Sequence, residues 1–258
     1  MTDKRTSPVA VFDSGMGGVS VLRELYKLMP NEDYLFFGDS ANAPYGGRSV
    51  EDVRALTHTH VAHLLEVGAK AVVVACNTAT SAAIRTLRET YPGVPMIGLE
   101  PAIKPAVEGN PGGRILILAT DLTIHQGKCR TLMERYQDKA ELIPLGAPGL
   151  MEFVEGGKLH TPELDAFLRR LLAPYLADPV DAVVLGCTHY PFLQEDMAKV
   201  MGPKVRFYDG GAGAARETRL LLEQGGLRNR PDHEGQITFR NSDPSGVHLE
   251  RSKRLFSL

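Results

Sequence analysis

The chain alternates short apolar runs with longer amphipathic stretches along its whole length. The apolar runs hold many β-branched and aromatic residues, which is typical of buried strands. The predicted strands are residues 9–12, 34–38, 71–76, 96–99, 114–120, 141–145, 182–187, 205–209 and 236–240. Helices are predicted at residues 50–67, 81–91, 162–176 and 212–224. Strands that alternate with helices predict an α/β fold whose sheets are mainly parallel.

One Pro/Gly-rich break, "EGNPGG" at residues 108–113, interrupts this pattern near the middle of the chain. Such a break indicates that a second domain starts close to it. The helix at residues 212–224 and the strand in "QITFR" finish the chain, and we assign both to the first domain. The predicted domains are therefore residues 1–98 with 209–258, and residues 99–208.

Composition narrows the class of protein. With 258 residues and 43% hydrophobic content, the chain can fill a substantial core without cross-links. Three cysteines, an odd number, and the lack of a secretory signal in "MTDKRTSP" predict a cytoplasmic protein without disulfides. No apolar run approaches the roughly 20 residues that span a bilayer. A net charge of -2 gives no electrostatic reason to bind nucleic acid or an anionic membrane. The basic "RSKR" at residues 251–254 is predicted to be a solvated tail.

Two cysteines occupy similar places in the two halves of the chain, in "VVVACNTATS" and "AVVLGCTHYP". Cys76 and Cys187 each follow a predicted buried strand and open a helix. Ligands bind at the carboxyl ends of parallel strands, and a helix N-terminus there favours a thiolate. Either cysteine alone could equally be a small buried hydrophobe. The repeated arrangement favours a pair of reactive thiols.

A pair of thiols suits the inversion of a carbon centre, which needs a base on one face and an acid on the other. Thiols have an ordinary pKa of about 8.5, so modest tuning ionises one while the other keeps its proton. Exchanging the two roles runs the reaction backwards. We therefore predict that Cys76 and Cys187 are an acid–base pair.

Other polar groups follow predicted strands and extend the candidate site. Asp13 and Ser14 end the first strand in "VFDSGMGG", where Asp13 is placed to pair with an ammonium group or to orient a thiol. The turn "APYGGR" offers the backbone N–H groups of Tyr45 and Gly46 to a carboxylate. An ordinary Pro/Gly turn without a function is the alternative for that segment.

A metal site and a dinucleotide site are weaker alternatives. Zinc would use Cys76, Cys187 and His189, but the only short spacing is Cys187-x-His189 and there is no C-x-x-C pair. The histidines of "THTHVAH" lie on a predicted helix, where the first two face different ways. A dinucleotide loop at "GMGGVS", paired with Asp39, lacks the third glycine of G-x-G-x-x-G. We predict neither a metal nor a cofactor.

Four motifs in this order, "VFDSGMGG", "DSANAPYG", "ACNTAT" and "LGCTHYP", resemble those of glutamate racemases, in the family of cofactor-independent, two-cysteine amino-acid racemases. The resemblance covers residues 9 to about 225. It implies two pseudo-symmetric α/β domains with the active site in the cleft between them. It also implies interconversion of L- and D-glutamate for bacterial peptidoglycan, without pyridoxal phosphate or metal. The expected partners are glutamate and a second copy in a homodimer, with no nucleic acid and no membrane.

The resemblance also implies a role for each matching residue. Cys76 matches the base for D-glutamate and Cys187 the base for L-glutamate, while Asp13 and His189 match the groups that assist the thiols. Glu155 matches an acidic residue near the site. The positions that match substrate-binding residues are Asp13, Ser14, Tyr45, Gly46, Asn77, Thr78, Thr188, His189, Glu155, Thr120 and Thr123.

The segment "ATDLTIHQGKC" departs from the family pattern A-T-x-G-T-[IV]-x-S-x-x-Y. Leu122, Gln126 and Cys129 stand at its glycine, serine and tyrosine positions. We expect this change to affect the local loop and any oligomer contact that it makes, but not the chemistry. Cys129 is predicted to be a packing residue inside a helix.

Two other functions remain compatible with the sequence. An aspartate racemase would share the fold and the chemistry, although its second cysteine is typically followed by Thr-Glu, where this chain has Thr188 and His189. A non-catalytic binding protein for an acidic amino acid would keep the Tyr45 turn and Asn77 but would need neither thiol. Replacing each cysteine separately distinguishes the enzyme from the binding protein.

Overall fold

The computed structural model describes residues 4–125 and 127–258. Its strands, numbered along the chain, are β1 (Val9–Asp13), β2 (Tyr34–Gly38), β3 (Ala71–Val74), β4 (Met96–Gly98), β5 (Arg114–Ala119), β6 (Glu141–Gly146), β7 (Ala182–Leu185), β8 (Arg206–Asp209) and β9 (Ile237–Asn241). Its α-helices are α1 (Val19–Leu28), α2 (Val50–Glu66), α3 (Asn77–Thr90), α4 (Ile103–Gly109), α5 (Asp121–His125), α6 (Gly127–Tyr136), α7 (Met151–Glu155), α8 (Pro162–Ala177), α9 (Gln194–Met201), α10 (Gly211–Gln224) and α11 (Val247–Phe256). Short 3₁₀ helices lie at Lys4–Thr6, Ser40–Asn42, Tyr45–Gly47 and Tyr190–Leu193.

These elements confirm the predicted α/β class and every predicted strand, with ends that differ by no more than two residues. Two predictions about these elements were wrong, and a third, about the helix after Cys187, is described with the site. The helix predicted at residues 81–91 begins earlier, at Asn77. The basic segment 251–254 is not a tail, because it lies within α11, where Ser252 and Leu255 are buried. Within this segment, Lys253 and Arg254 are exposed to solvent, and Arg251 is partly buried.

Met1–Leu99 and Gly211–Leu258 form one compact unit around a sheet of strand order β4-β3-β1-β2-β9. Every strand pairing in this sheet is parallel. The connections β1 to β2 and β2 to β3 run in opposite directions across the sheet, and right-handed crossovers therefore place α1 and α2 on opposite faces. Consistent with this placement, α2 packs against α3, while α1 packs against α10 and α11.

Glu100–Gly210 form a second compact unit around a parallel sheet of order β6-β5-β7-β8. Counted from the start of each unit, β4-β3-β1-β2 and β8-β7-β5-β6 have the same strand order. The two units therefore repeat one topology, and β9 extends only the first sheet. Cys76 and Cys187 each follow the third strand of their unit.

This topology predicts where each unit binds a ligand. In each sheet the chain places its second and third strands on opposite sides of the first, so the switch point lies between the first and the third strand. Open α/β sheets bind ligands outside the carboxyl ends of the strands at such a point. In the first unit these ends carry Asp13 and Cys76, and in the second Thr120 and Cys187.

The strands that end at the two switch points are held by apolar burial. Val9, Phe12 and Val74 in the first unit have no exposed surface, and neither have Ile115 and Val184 in the second. Burial of each such side chain contributes about 1.5–3 kcal/mol, so the strand ends are rigid supports for polar residues. Among the described residues, the longest and most apolar α-helices still fall short of what crossing a membrane requires.

Candidate active site

Cys76 takes the N-cap position of α3, which Ser, Thr, Asp or Asn usually occupies. Its backbone is extended (φ -69°, ψ 123°), and its Sγ accepts a hydrogen bond from the backbone N–H of Ala79 at 3.4 Å. The hydroxyl of Ser14 donates to the same sulfur at 3.3 Å. Only 6% of Cys76 is exposed. Two donors and the positive end of a helix dipole therefore favour negative charge on this sulfur.

Asp13 is fully buried at the end of β1, and its Oδ2 accepts a hydrogen bond from the backbone N–H of Gly15 at 3.0 Å. The N–H of Ala75 donates to the carbonyl of Phe12 at 2.7 Å, which sets the turn before Cys76 alongside the end of β1. A Cβ on Gly18 would lie 2.6 Å from the Cβ of Asp13, so only glycine fits there. Asp13 thus lies in the same turn region as Ser14 and Cys76.

Asn77 and Thr78 form the first turn of α3 and are 4% and 3% exposed. The Oδ1 atom of Asn77 is buried and accepts no hydrogen bond from any described residue. A buried oxygen without a partner costs free energy, which a donor on a ligand would offset. Thr80, one turn later, has a structural role, since its hydroxyl donates to the carbonyl of Val74 and accepts from the N–H of Leu99.

The turn that carries Tyr45 and Gly46 is anchored by Asp39, a residue that the sequence suggested only as a ribose ligand. The hydroxyl of Tyr45 donates to Oδ2 of Asp39 at 2.7 Å, and Nε2 of His60 lies 2.9 Å from the same oxygen. Burial would raise the pKa of Asp39, but hydrogen bonds, first those of His60 and Ser242, hold it well below its usual range. Burial and the charge of Asp39 raise the pKa of Tyr45 far above its ordinary value, so its hydroxyl stays protonated and keeps donating.

Cys187 has a different environment, built on a histidine and a carboxylate. Its Sγ lies 3.6 Å from Nδ1 of His189, and Nε2 of His189 lies 2.6 Å from Oε1 of Glu155. His189 is 1% exposed, whereas Cys187 is partly exposed. Burial would lower the pKa of His189, but its contacts with Cys187 and Glu155 outweigh burial and raise that pKa well above 6.5. A protonated His189 presents an N–H to the sulfur of Cys187.

The prediction that Cys187 opens an α-helix, as Cys76 does, was wrong. A 3₁₀ turn, Tyr190–Leu193, follows first, with Pro191 in its opening positions, and α9 starts only at Gln194. The 3₁₀ turn therefore separates Cys187 from the start of α9, whereas α3 begins at the residue after Cys76. His189 supplies the positive charge instead.

The three threonines of the second unit that the sequence assigned to the site lie around the ends of β5 and β7. Thr188 is buried next to Cys187. The hydroxyl of Thr120 donates to Oγ1 of Thr123 at 2.9 Å and accepts from the N–H of Thr123. The N–H of Gly186 donates to the carbonyl of Leu118 at 2.8 Å, so the end of β5 lies beside the turn before Cys187.

The divergent segment keeps its third cysteine away from the strand ends. Cys129 has no exposed surface and packs in an apolar cluster with residues that include Ile115, Ile117 and Val184. Burial raises the pKa of its thiol to about 11, which confirms the prediction of a packing residue. Gln126 lies outside the described residues. Among the described residues, no cluster of three or more His, Cys, Asp or Glu side chains is placed to hold a metal ion.

Comparison with known proteins finds racemases among both related sequences and similar structures. A family model described as Asp/Glu/Hydantoin racemase matches residues 16–218. A glutamate racemase of Clostridium botulinum (strain Alaska E43 / Type E3) is 47% identical over 253 residues, which cover 98% of each chain. The structure of Escherichia coli glutamate racemase in complex with L-glutamate and the activator UDP-MurNAc-ala has a TM-score of 0.84 at 32% identity, covering 97% of this chain and 95% of that chain. The structure of glutamate racemase from Francisella tularensis subsp. tularensis in complex with D-glutamate has a TM-score of 0.84 at 25% identity. The match covers 98% of this chain and 95% of that chain.

Proposed function

The chain belongs to the Asp/Glu/hydantoin racemase family, and we propose that it interconverts L- and D-glutamate by moving the α-proton between Cys76 and Cys187. The observation that carries this proposal is the pair of thiols, one after the third strand of each repeated unit. Each sulfur contacts groups that favour a thiolate: Ser14 and the start of α3 at Cys76, and His189 at Cys187. Such an arrangement suits an enzyme that uses either sulfur as a base.

In the proposed reaction, one sulfur is a thiolate and removes the α-proton from one face of the substrate. The other sulfur is a thiol and delivers its proton to the opposite face. The substrate loses one proton and gains one, and the thiolate and the thiol exchange states, so atoms and charges balance. Cys76 is the base for D-glutamate and Cys187 the base for L-glutamate.

Neighbouring groups assist each thiol. Glu155 accepts a hydrogen bond from Nε2 of His189, which turns Nδ1 toward Cys187. Asp13 assists the Cys76 side. We assign the substrate ammonium and carboxylates to the remaining polar positions: Ser14, Tyr45, Gly46, Asn77, Thr78, Thr120, Thr123 and Thr188.

The two alternative functions have less support. The relatives compared above are named glutamate racemases at 25–47% identity. The chain also has Thr188 followed by His189, which pairs with Glu155. A protein that only binds an amino acid has no need of a donor on each of two thiols. D-Glutamate would enter peptidoglycan, and we expect a homodimer in the cytoplasm.

The test is proton exchange in heavy water with single enantiomers of glutamate and of aspartate. Early in the reaction, the product should carry deuterium at the α-carbon while the remaining substrate stays protonated, because the second thiol holds a solvent-derived hydrogen. Cys76→Ser and Cys187→Ser should each stop racemisation, since an alcohol is a far weaker acid than a thiol. Cys129→Ala is the matched control and should keep racemising.

Several results would contradict the proposal. Product that retains protium would indicate a single base. Near wild-type racemisation by Cys76→Ser or Cys187→Ser would rule out the pair, and preference for aspartate would favour the aspartate racemase.

A further inference from the structure

A second histidine–carboxylate contact joins the same two segments that the Glu155–His189 contact joins. His160 lies in the loop that follows Glu155 and α7, and Asp196 lies in α9, which follows His189. Nδ1 of His160 is 3.0 Å from Oδ1 of Asp196. The segment that includes α7 and the loop after it contributes the acid to the first contact, as Glu155, and the histidine to the second, as His160. The other segment contributes His189 to the first contact and Asp196 to the second. We call the His160–Asp196 contact the latch.

Asp196 is buried, and its carboxylate therefore depends on the contact with His160. The residue is 8% exposed, and its Oδ2 is buried without a hydrogen-bond partner among the described residues. A buried carboxylate needs a counter-charge or a donor. His160 supplies it at the other oxygen, although half of the His160 side chain (51%) stays exposed.

The backbone of His160 supports the same conclusion. Its φ is 57°, and it is the one non-glycine residue with positive φ in the part of the chain that the structure describes. Non-glycine residues adopt this region uncommonly, although histidine does so more often than most, and such conformations persist where surrounding contacts hold them. A glycine would serve the turn better, so the imidazole is present for its contact and not for the backbone.

The Glu155 segment needs such a support. Helix α7 is only five residues long and has one buried residue, Val154. A helix this short is not stable without tertiary contacts. Its last residue must nevertheless keep Oε1 at 2.6 Å from Nε2 of His189.

We propose that His160 and Asp196 are positioning residues for racemisation: the latch holds the segment after Glu155 on α9 and thereby keeps Glu155 on His189. This inference rests on the proposed function, in which His189 assists Cys187. Without the latch, the carboxylate of Glu155 moves away from His189, and Cys187 loses its charged neighbour. Neither His160 nor Asp196 touches the reacting sulfur.

The test uses the full-length enzyme with His160→Gly, which relieves the backbone and removes the ring, and Asp196→Asn, which keeps the shape and removes the charge. Each variant should lower kcat roughly tenfold to a hundredfold, as displaced catalytic groups do, with a much smaller change in KM. The double variant should be no worse than either single variant, because the two residues act as one contact. Glu134→Gln is the control: it removes a charge from an exposed residue of α6, paired with Arg130, and should leave kcat unchanged.

A second readout does not depend on turnover. The rate at which iodoacetamide alkylates Cys187, followed by peptide mass spectrometry at neutral pH, should fall about tenfold in both single variants, while Cys76 in the same sample reacts as before. If the wild-type protein failed to racemise glutamate, the proposed function would fall, yet this comparison would still test the latch. Variants that melt at lower temperature but keep wild-type kcat and Cys187 alkylation would show that the contact only stabilises the fold. Independent, multiplying losses in the double variant would also overturn the proposal.

Discussion

The two thiols are prepared by different residues. At Cys76, two neutral donors contact the sulfur: the hydroxyl of Ser14 and the N–H of Ala79 in the first turn of α3. At Cys187, the donor is the charged imidazole of His189, which lies between the sulfur and Glu155. Changes to single residues should therefore affect one sulfur and leave the other unaffected.

Ser14→Ala should weaken the Cys76 side. A hydrogen bond to a charged group contributes about 1.5–3 kcal/mol, so loss of the donor should lower turnover by roughly tenfold to a hundredfold. Alkylation of Cys76 should slow, while that of Cys187 stays constant. Ser257→Ala, a change at an exposed position near the C-terminus, is the control. Equal slowing at both cysteines would argue against a local effect.

Glu155→Gln should destabilise the protein in a pH-dependent way. The pKa of His189 is raised in the folded state, so its stabilising contribution is complete below the ordinary value near 6.5 and is lost as pH rises through the folded-state pKa. The loss in the free energy of unfolding should be about 3–5 kcal/mol near pH 6 and smaller at high pH. Urea unfolding of both proteins over this pH range measures it. A loss that does not vary with pH would contradict this account. Glu89→Gln is the control: Glu89 lies in an exposed ion pair with Arg85, so the free energy of unfolding of this variant should change little at any pH.

At the scale of elements, the turn from β1 to α1 depends on close packing. Gly18 precedes α1, and an added Cβ would meet both Asp13 and Ala75, the latter at 3.1 Å. Both neighbours are themselves buried, so neither can move easily. The position of Asp13 is therefore a property of the whole strand–turn–helix unit.

Gly18→Ala should push Asp13 out of place. Overpacking of this kind costs about 1–3 kcal/mol, and turnover should fall with the displacement of the carboxylate. Gly213→Ala is the matched control, because no described atom lies within 4 Å of its added Cβ in α10. That change should raise stability by roughly 0.5–1 kcal/mol, as Ala for Gly does inside a helix. Unfolding in urea and kcat of both variants check this, and an active, stable Gly18→Ala protein would contradict it.

At the scale of the molecule, a buried charge cluster fastens the end of the chain to the first unit. The side chains of Glu32 and Lys70 form an ion pair with no exposed surface. Glu32 also accepts hydrogen bonds at 2.9 Å from Nε of Arg228 and from the N–H of Asn229. The cluster ties the segment after α10 to the start of β2, and so sets β9 on the edge of the sheet.

Glu32→Gln should therefore be strongly destabilising. It leaves the ammonium group of Lys70 buried without its counter-charge, which costs about 3–5 kcal/mol. Glu250→Gln, in an exposed pair with Lys253, should have little effect. Hydrogen exchange should show that amides of β9 and α11 open first. Wild-type exchange in Glu32→Gln would mean that apolar contacts alone, such as that of Phe239 with Phe256, hold these elements.

The whole molecule should work without an added cofactor. Because both proposed bases are side chains, exhaustive dialysis against a chelator should leave racemase activity unchanged. The measurement is the rate at which the optical rotation of a single enantiomer of glutamate changes, before and after dialysis. Dialysis against buffer without chelator is the control. Activity that returns only with pyridoxal phosphate or a divalent ion would refute the two-thiol mechanism.

Much of the fold follows from local sequence. The runs at residues 71–76 and 182–187 are apolar on both faces, a pattern that is typical of a parallel strand covered on both faces. The same local reading placed both cysteines at strand ends. Asp13, Ser14 and the Tyr45 turn also followed from their places after predicted strands. The other residues of the candidate site came from motif resemblance, and the role of every site residue is a proposal.

Tertiary structure decided how those residues are supported. The sequence did not show Asp39 as the anchor of Tyr45, the histidine in place of a helix end at Cys187, or the His160–Asp196 contact. The packing of α11 where a tail was expected belongs to the same group. Hydrophobic periodicity reports which face of an element is buried, whereas these features depend on which polar groups meet across strands and loops distant in sequence. Strand order sets those meetings, and local pattern does not encode strand order.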